Sequence, residues 1–342
     1  MLNSEAKLAA NIFNKPDTAS TREGFGKGSV EAGKLDERVV VLTADLAEST
    51  HAHHFQKAFP ERFAQVGVAE QNLATVAAGM ANYGKIPFFT SYATFSPGRN
   101  WEQIRTTIAL NNLPAICCGM HAGLQTGLDG ATHQALEDIA MMRALPNMIV
   151  ISPCDSEEGR KATLAAAKAG RPVYLRFARD KTPIMTTPDT SFEIGKAIVF
   201  WKPSTTYDVV VFATGPLVHN ALLAARTLEG EGVGVAVVNV HTIKPLDKEI
   251  ITREARQAGA VVTVEDHQIR GGLGGAIAEL LAQEYPVPME FIGMHDVFGQ
   301  SGMPDELYEH YGMGVSHIID AVKRVKARKE LSASAVTPRT RV

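Results

Sequence analysis

Short apolar runs rich in β-branched residues, each followed by a segment of helical length, constrain this chain more than any other feature. VVVLTA (Val39–Ala44), IPFFTSYA (Ile86–Ala93), PAICCGM (Pro114–Met120), MIVISPC (Met148–Cys154) and PVYLRFA (Pro172–Ala178) form a first block. DVVVFATG (Asp208–Gly215), VGVAVVNV (Val233–Val240), AVVTVEDH (Ala260–His267) and MEFIGM (Met289–Met294) form a second. Runs that are continuous rather than alternating predict strands covered on both faces, hence mostly parallel sheets flanked by helices. Between the blocks, DKTPIMTTPDTS (Asp180–Ser191) is broken by prolines and threonines and reads as a linker rather than an element. The expectation is an α/β chain of two domains, 21–180 and 192–328, joined by a linker at 181–191. An extension at 1–20 precedes them, and a small polar tail at 329–342 frays.

Composition narrows the class. A length of 342 residues fits two domains better than one. With 45% hydrophobic residues and a formal net charge of -3, neither a nucleic-acid surface nor an anionic-membrane surface is implied. The three cysteines, Cys117, Cys118 and Cys154, are an odd number without metal-ligand spacing; Cys117 and Cys118 lie in an apolar run and read as buried free thiols, which fits a reducing compartment. The N-terminal MLNSEAKLAANIFNKPD has neither an apolar core nor a cleavage pattern, and no run approaches the roughly 20 residues of a membrane span. A cytoplasmic location is expected.

Two motifs tempt a ligand reading and do not earn it. GGLGG (Gly271–Gly275) opens a helix after a strand, but its glycine spacing and the missing downstream acid depart from the dinucleotide fingerprint. Close packing of helix on sheet explains it better. HAHH (His51–His54) places three imidazoles after a strand end with no recognised set of further ligands, so no metal is assigned; the loop could line a channel entrance. Asp155 reads as a helix N-cap, with Glu158 completing a capping box.

Candidate chemistry lies in the first block. In FPERFAQVGVAEQ (Phe59–Gln71), Glu70 stands where an apolar approach turns into a helix marked by Leu73, Val76, Ala77 and Met80. An acid in a first turn is favoured by the helix dipole whatever its task. SYATF (Ser91–Phe95) offers Tyr92 and Phe95, followed by Trp101. GMHAGLQTGLDGATHQ (Gly119–Gln134) supplies His121, Asp129 and His133 on a glycine-rich loop that lets backbone approach a ligand.

In order and spacing these segments resemble transketolase-type thiamine diphosphate enzymes, over most of the chain from Thr21 to the last helix. The resemblance implies a pyrimidine-binding domain followed by a transketolase C-terminal domain. It gives Glu70 the place of the glutamate that contacts N1′ of the aminopyrimidine, with Tyr92, Phe95 and Trp101 around that ring. It gives Arg22, Asp45, Ser49, His121, Asp129 and His133 contacts to a sugar phosphate, His133 beside the donor carbonyl. Arg176 or Arg179 would be a further phosphate ligand, Arg176 being preferred. Gly98, Leu128 and Ala131 depart from the family pattern, and Arg99 could fill part of the pocket wall. No Gly-Asp-Gly for the Mg²⁺-diphosphate occurs in the sequence. The resemblance therefore implies thiamine diphosphate shared with an N-terminal partner subunit that carries Mg²⁺, in an α₂β₂ assembly. Transfer of a two-carbon ketol unit from a ketose phosphate to an aldose is the implied reaction. Its rivals are a component of a 1-deoxy-xylulose-5-phosphate synthase-like or 2-oxoacid dehydrogenase-like enzyme, and a non-catalytic scaffold.

Overall fold

The structure is a computed structural model and describes residues 1–204 and 206–336. Within the first domain the chain runs β1 (Thr18–Ser20), α1 (Thr21–Leu35), β2 (Val39–Thr43), α2 (His53–Ala58), β3 (Phe63–Gln65), α3 (Glu70–Asn82) and β4 (Ile86–Tyr92). It continues through α4 (Trp101–Gln103), a π-helical turn Ile104–Ala109, β5 (Ile116–Met120), α5 (Asp138–Arg143), β6 (Ile149–Ile151), α6 (Ser156–Lys168), β7 (Val173–Arg176) and β8 (Lys181–Pro183). The second domain holds β9 (Ile198–Trp201), β10 (Val209–Ala213), α7 (Val218–Gly230), β11 (Val235–Asn239), β12 (Thr242–Lys244) and α8 (Lys248–Ala258). After them come β13 (Val261–Gln268), α9 (Leu273–Glu284), β14 (Met289–Met294), α10 (Pro304–His310) and α11 (Val315–Val336).

All the strands foreseen from apolar runs are present, and both main sheets are mostly parallel. The first has the order β12-β6-β7-β5-β4-β2-β3, and the second β14-β13-β10-β11-β9. Period-two alternation divides the first sheet's side chains between two cores. Val40, Leu42 and Phe89 join a core that continues into the second domain, whereas Val39, Val41 and Phe88 face α1 and α6. On that outer face α1 and α6 approach unusually closely. A Cβ on Gly24 would stand 2.0 Å from the Ser156 carbonyl oxygen, so only glycine fits there. The first turn of α1 is closed by a reciprocal capping box between Ser20 and Glu23.

Several local expectations are corrected. The linker is not free of structure: β8 pairs antiparallel with β1, so the proposed extension and linker form a small sheet. The extension also packs on the second domain, with Ile12 and Ala6 buried in its core. Strand β12 crosses back to pair antiparallel with β6 of the first sheet. Asp155 caps α6, but Glu158 turns to the Cys154 amide (2.7 Å) and Asn239 (2.7 Å) instead of closing a box. Helix α11 continues through Val336, so the fraying assigned from Lys329 onward does not hold for its described part; 337–342 lie outside the described residues. Glu265 accounts for GGLGG: its carboxylate accepts from the Leu273 and Gly274 amides (2.6 and 2.8 Å), taking the place an anionic ligand would have at the start of α9. No described helix is long and apolar enough to cross a membrane.

Candidate active site

The first sheet reverses its order between β2 and β4, because β3 lies on one side of β2 and the later strands on the other. In open α/β sheets that switch point, at the carboxyl ends of the strands, is where ligands bind. The chain delivers its candidate residues to that edge. Asp45 follows β2, Glu70 follows β3, Tyr92 ends β4, His121 follows β5, and Arg179 follows β7.

Glu70 is 1% exposed at the first position of α3. Its Oε1 accepts from the Ser91 hydroxyl at 3.0 Å and its Oε2 from Arg99 Nη1 at 2.8 Å. Asn100 holds the backbone by donating to the Glu70 carbonyl at 2.9 Å. Arg99 also lies over the ring of Phe95, with its guanidinium carbon 4.8 Å from the centroid. From Phe95 a cluster of rings leads inward: Tyr92 stands 6.2 Å away, and His133 meets Phe95 edge-on at 5.4 Å. His121 stacks on Tyr92 at 3.9 Å.

Beyond His121 the character changes from aromatic to cationic. Arg22 Nη1 lies 2.7 Å from His121 Nε2, and Arg22 also donates to the carbonyls of Ser49 and Arg179. A guanidinium only donates, so Nε2 accepts and the proton of His121 sits on Nδ1, which has no partner within the described residues. Burial, then Arg22 and Arg179, push the His121 pKa down to about 2, so its imidazole is neutral. Burial and the neighbouring Arg179 lower Arg22 to about 10. Arg179 donates to the Thr126 carbonyl at 2.6 Å and pairs with Asp129 at 3.1 Å. Arg22, Arg179, Gln125 and Thr126 line a pocket of about 210 Å³, together with Met303 and Pro304 of the second domain.

Glu70, Phe95, Tyr92, His133, His121, Arg22 and Asp129 thus lie along one continuous line of contacts, and Ser49 meets it through its carbonyl. Three expected residues stand apart. Arg176 is buried against Asp138 at 2.7 Å and also donates to the Ala135 and Asp266 carbonyls. It is sealed inside the protein, so the preference for Arg176 over Arg179 is corrected. Trp101 packs on the core and donates to the Met141 carbonyl at 3.1 Å, with no ring contact to Tyr92, Phe95 or His133 among the described residues. Asp45 is exposed at φ 60, its amide held by Gln65 at 2.7 Å, without a contact to the line. His51, His53 and His54 stack on one another against α1, with a closest ring separation of 4.2 Å. Among the described residues no set of three His, Cys, Asp or Glu could hold a metal. The sequence reading missed Ser91 and Asn100, whose polar side chains on a buried strand end and turn were the available signal. It left Arg99 without a partner.

Comparisons with known proteins place the chain. The family profile described as Transketolase, pyrimidine binding domain matches residues 17–185, and Transketolase, C-terminal domain matches 202–318. A Methanocaldococcus jannaschii protein named transketolase C-terminal section is 44% identical over 85% of this chain and 92% of its own length. The 6-deoxy-6-sulfo-D-fructose transketolase subunit of Clostridium sp. is 39% identical over 88% of this chain and 92% of its own. The 1-deoxy-D-xylulose-5-phosphate synthase of Syntrophotalea carbinolica is 37% identical over 91% of this chain but only 49% of its own length. Among solved structures, a split gene transketolase described as an inactive beta4 tetramer superposes with a TM-score of 0.84. It is 44% identical, with 91% of this chain and 99% of that one covered. The chain therefore belongs to the transketolase family, with a pyrimidine-binding domain followed by a transketolase C-terminal domain.

Proposed function

We propose that this chain is the sugar- and pyrimidine-binding half of a thiamine diphosphate-dependent transketolase, active only with an N-terminal partner subunit. The observation that carries this reading is the line from a buried carboxylate, through an aromatic and imidazole wall, to a pair of guanidiniums. Glu70 and Phe95, with Tyr92, fit the pyrimidine end of thiamine diphosphate. A carboxylate that is 1% exposed yet reaches the surface through the half-exposed Arg99, beside an aromatic face, suits a flat heterocycle with a ring nitrogen. When bound, the cofactor supplies the nucleophilic carbon needed to cleave a ketose between C2 and C3.

The chain's own residues bind and orient the sugar. Neutral His121, stacked on Tyr92, shares the glycine-rich loop with His133 and Asp129, which serve the carbonyl end and the hydroxyls. Asp45 and Ser49 are kept as sugar contacts at the end of β2. Arg22 and Arg179 read an anionic terminus, since planar guanidiniums match phosphate oxygens in pairs. A sulfonate presents the same oxygens, which agrees with a relative named for a sulfonated ketose. Two-domain relatives of this length are named as sections or subunits, while the synthase it matches is about twice as long. This supports a separate subunit for the diphosphate and its Mg²⁺; the α₂β₂ assembly is part of the same proposal. The synthase match keeps pyruvate-type donors as the second reading.

In the complex with the partner, Glu70→Gln should keep the fold and lower ketol transfer by about 10² to 10⁴, as loss of a positioned acid/base group commonly does. Near wild-type turnover by that variant would remove Glu70 from the mechanism.

A further inference from the structure

Toward its end, before Gln268, strand β13 carries Glu265, Asp266 and His267, three ionisable residues in a row that are each 2% exposed or less. Strand alternation sends the middle one to the opposite side from its neighbours. Glu265 serves α9, as described above. Asp266 instead points into the first domain, toward the glycine-rich stretch between His121 and His133. Its Oδ1 accepts from the Leu124 amide at 2.9 Å and its Oδ2 from the Gln125 amide at 3.3 Å. The Tyr308 hydroxyl on α10 donates to Oδ2 at 2.9 Å, fixing the carboxylate from the other side.

The loop is shaped for this approach. Gly123 has φ +74, and a Cβ there would stand 2.1 Å from Asp266 Oδ2. Further along, Gln134 donates to the Gln300 carbonyl at 3.0 Å, so the second domain holds the loop at both ends. A buried carboxylate is a poor device for stability alone, because its desolvation offsets most of what its partners return. Here its donors are backbone amides of the loop that carries the sugar-binding side chains. The charge therefore sets where that backbone lies.

We propose that Asp266 is a positioning residue for sugar recognition: the C-terminal domain uses its carboxylate to fix the loop bearing His121, Asp129 and His133. The proposal rests on the reading of that loop as the sugar site. It gives the second domain a part in recognition besides assembly.

Asp266→Asn tests it with two readouts. In the chain alone, hydrogen exchange at the Leu124 and Gln125 amides should accelerate about tenfold or more, the loss of a charge-assisted hydrogen bond, while α3 and β4 keep their protection. In the complex, KM for a phosphorylated ketose should rise about tenfold with kcat and cofactor affinity changed less than about twofold, since Glu70 and Phe95 lie on other elements. Should the asparagine variant not fold, Asp266→Ser, which removes the charge without adding an opposing amide, is measured in its place. Unchanged exchange at Leu124 and Gln125, or faster exchange spread evenly over both domains with KM unaltered, overturns the proposal. A wild-type complex with no ketol transfer would refute the proposed function, and the exchange result would still decide whether Asp266 holds the loop.

Discussion

Two arginines three residues apart should fail in opposite ways when replaced by methionine. Arg176 donates to both oxygens of Asp138, at 2.7 and 3.2 Å, and to two main-chain carbonyls, at 3.2 and 2.8 Å. Asp138 is fully buried, and Arg176→Met leaves it, among the described residues, with the Tyr174 hydroxyl at 2.6 Å as its remaining side-chain donor. Stranding one partner of a buried pair costs about 3–5 kcal/mol. Unfolding entropy near 2.1 cal/mol/K per residue gives roughly 0.7 kcal/mol/K for 342 residues, so Tm should fall by about 4–7 °C if the domains unfold together. Arg179 and its partner Asp129 are 37% and 32% exposed, a pair worth about 0–1 kcal/mol, and Arg179→Met should move Tm by less than about 2 °C. Function reverses the order. Loss of a charge-assisted contact of about 1.5–3 kcal/mol raises KM for a phosphorylated donor by about 10- to 150-fold in Arg179→Met, with unphosphorylated analogues little affected. Scanning calorimetry of the chain and steady-state kinetics of the complex measure both quantities. An Arg176→Met protein with unchanged Tm and a selective loss of phosphorylated substrate would refute the assignment.

Arg22→Ala should likewise weaken phosphorylated donors by one to two decades while sparing unphosphorylated ones; equal losses in steady-state kinetics would mean that it does not read the anion. Acid should destabilise the fold through its buried imidazoles. Burial lowers His241 to about 3, below the 6.5 of an exposed histidine, so the unfolded chain takes the proton first. The stability it confers is complete above pH 6.5 and is lost as pH falls toward 3, at about 1.4 kcal/mol per pH unit. Between pH 7 and pH 5, denaturant melts of His241→Gln should lose about 2 kcal/mol less than wild type; parallel losses would contradict this.

The strands of the two blocks were legible because both faces are covered, which makes every position of VVVLT or VAVVN apolar. The short strands were not. Lys181–Pro183 becomes a strand only through Thr18–Ser20, more than 150 residues earlier, and Thr242–Lys244 only through β6 of the other domain. No local pattern records such pairing. In the candidate site, the local segments sufficed to single out Glu70 and the His121 loop as candidates. The choice between Arg176 and Arg179 was not, because it depends on Asp138, which α5 brings beneath β7. The contact of Trp101 was hidden for the same kind of reason: its indole N–H donates to the Met141 carbonyl, 40 residues on. Arg99 had no assigned task because its place over Phe95 and against Glu70 needs the turn between β4 and α4 to be folded.

In the proposed function this chain binds the pyrimidine and the sugar, and a second subunit holds the cofactor's diphosphate. Isothermal titration of the chain alone with thiamine diphosphate and Mg²⁺, followed by the same titration after mixing with the N-terminal subunit, tests it most directly. Affinity weaker than about 1 mM and no ketol transfer are expected for the chain alone, with micromolar binding and turnover in the mixture. Micromolar binding together with ketol transfer by the chain alone would contradict it.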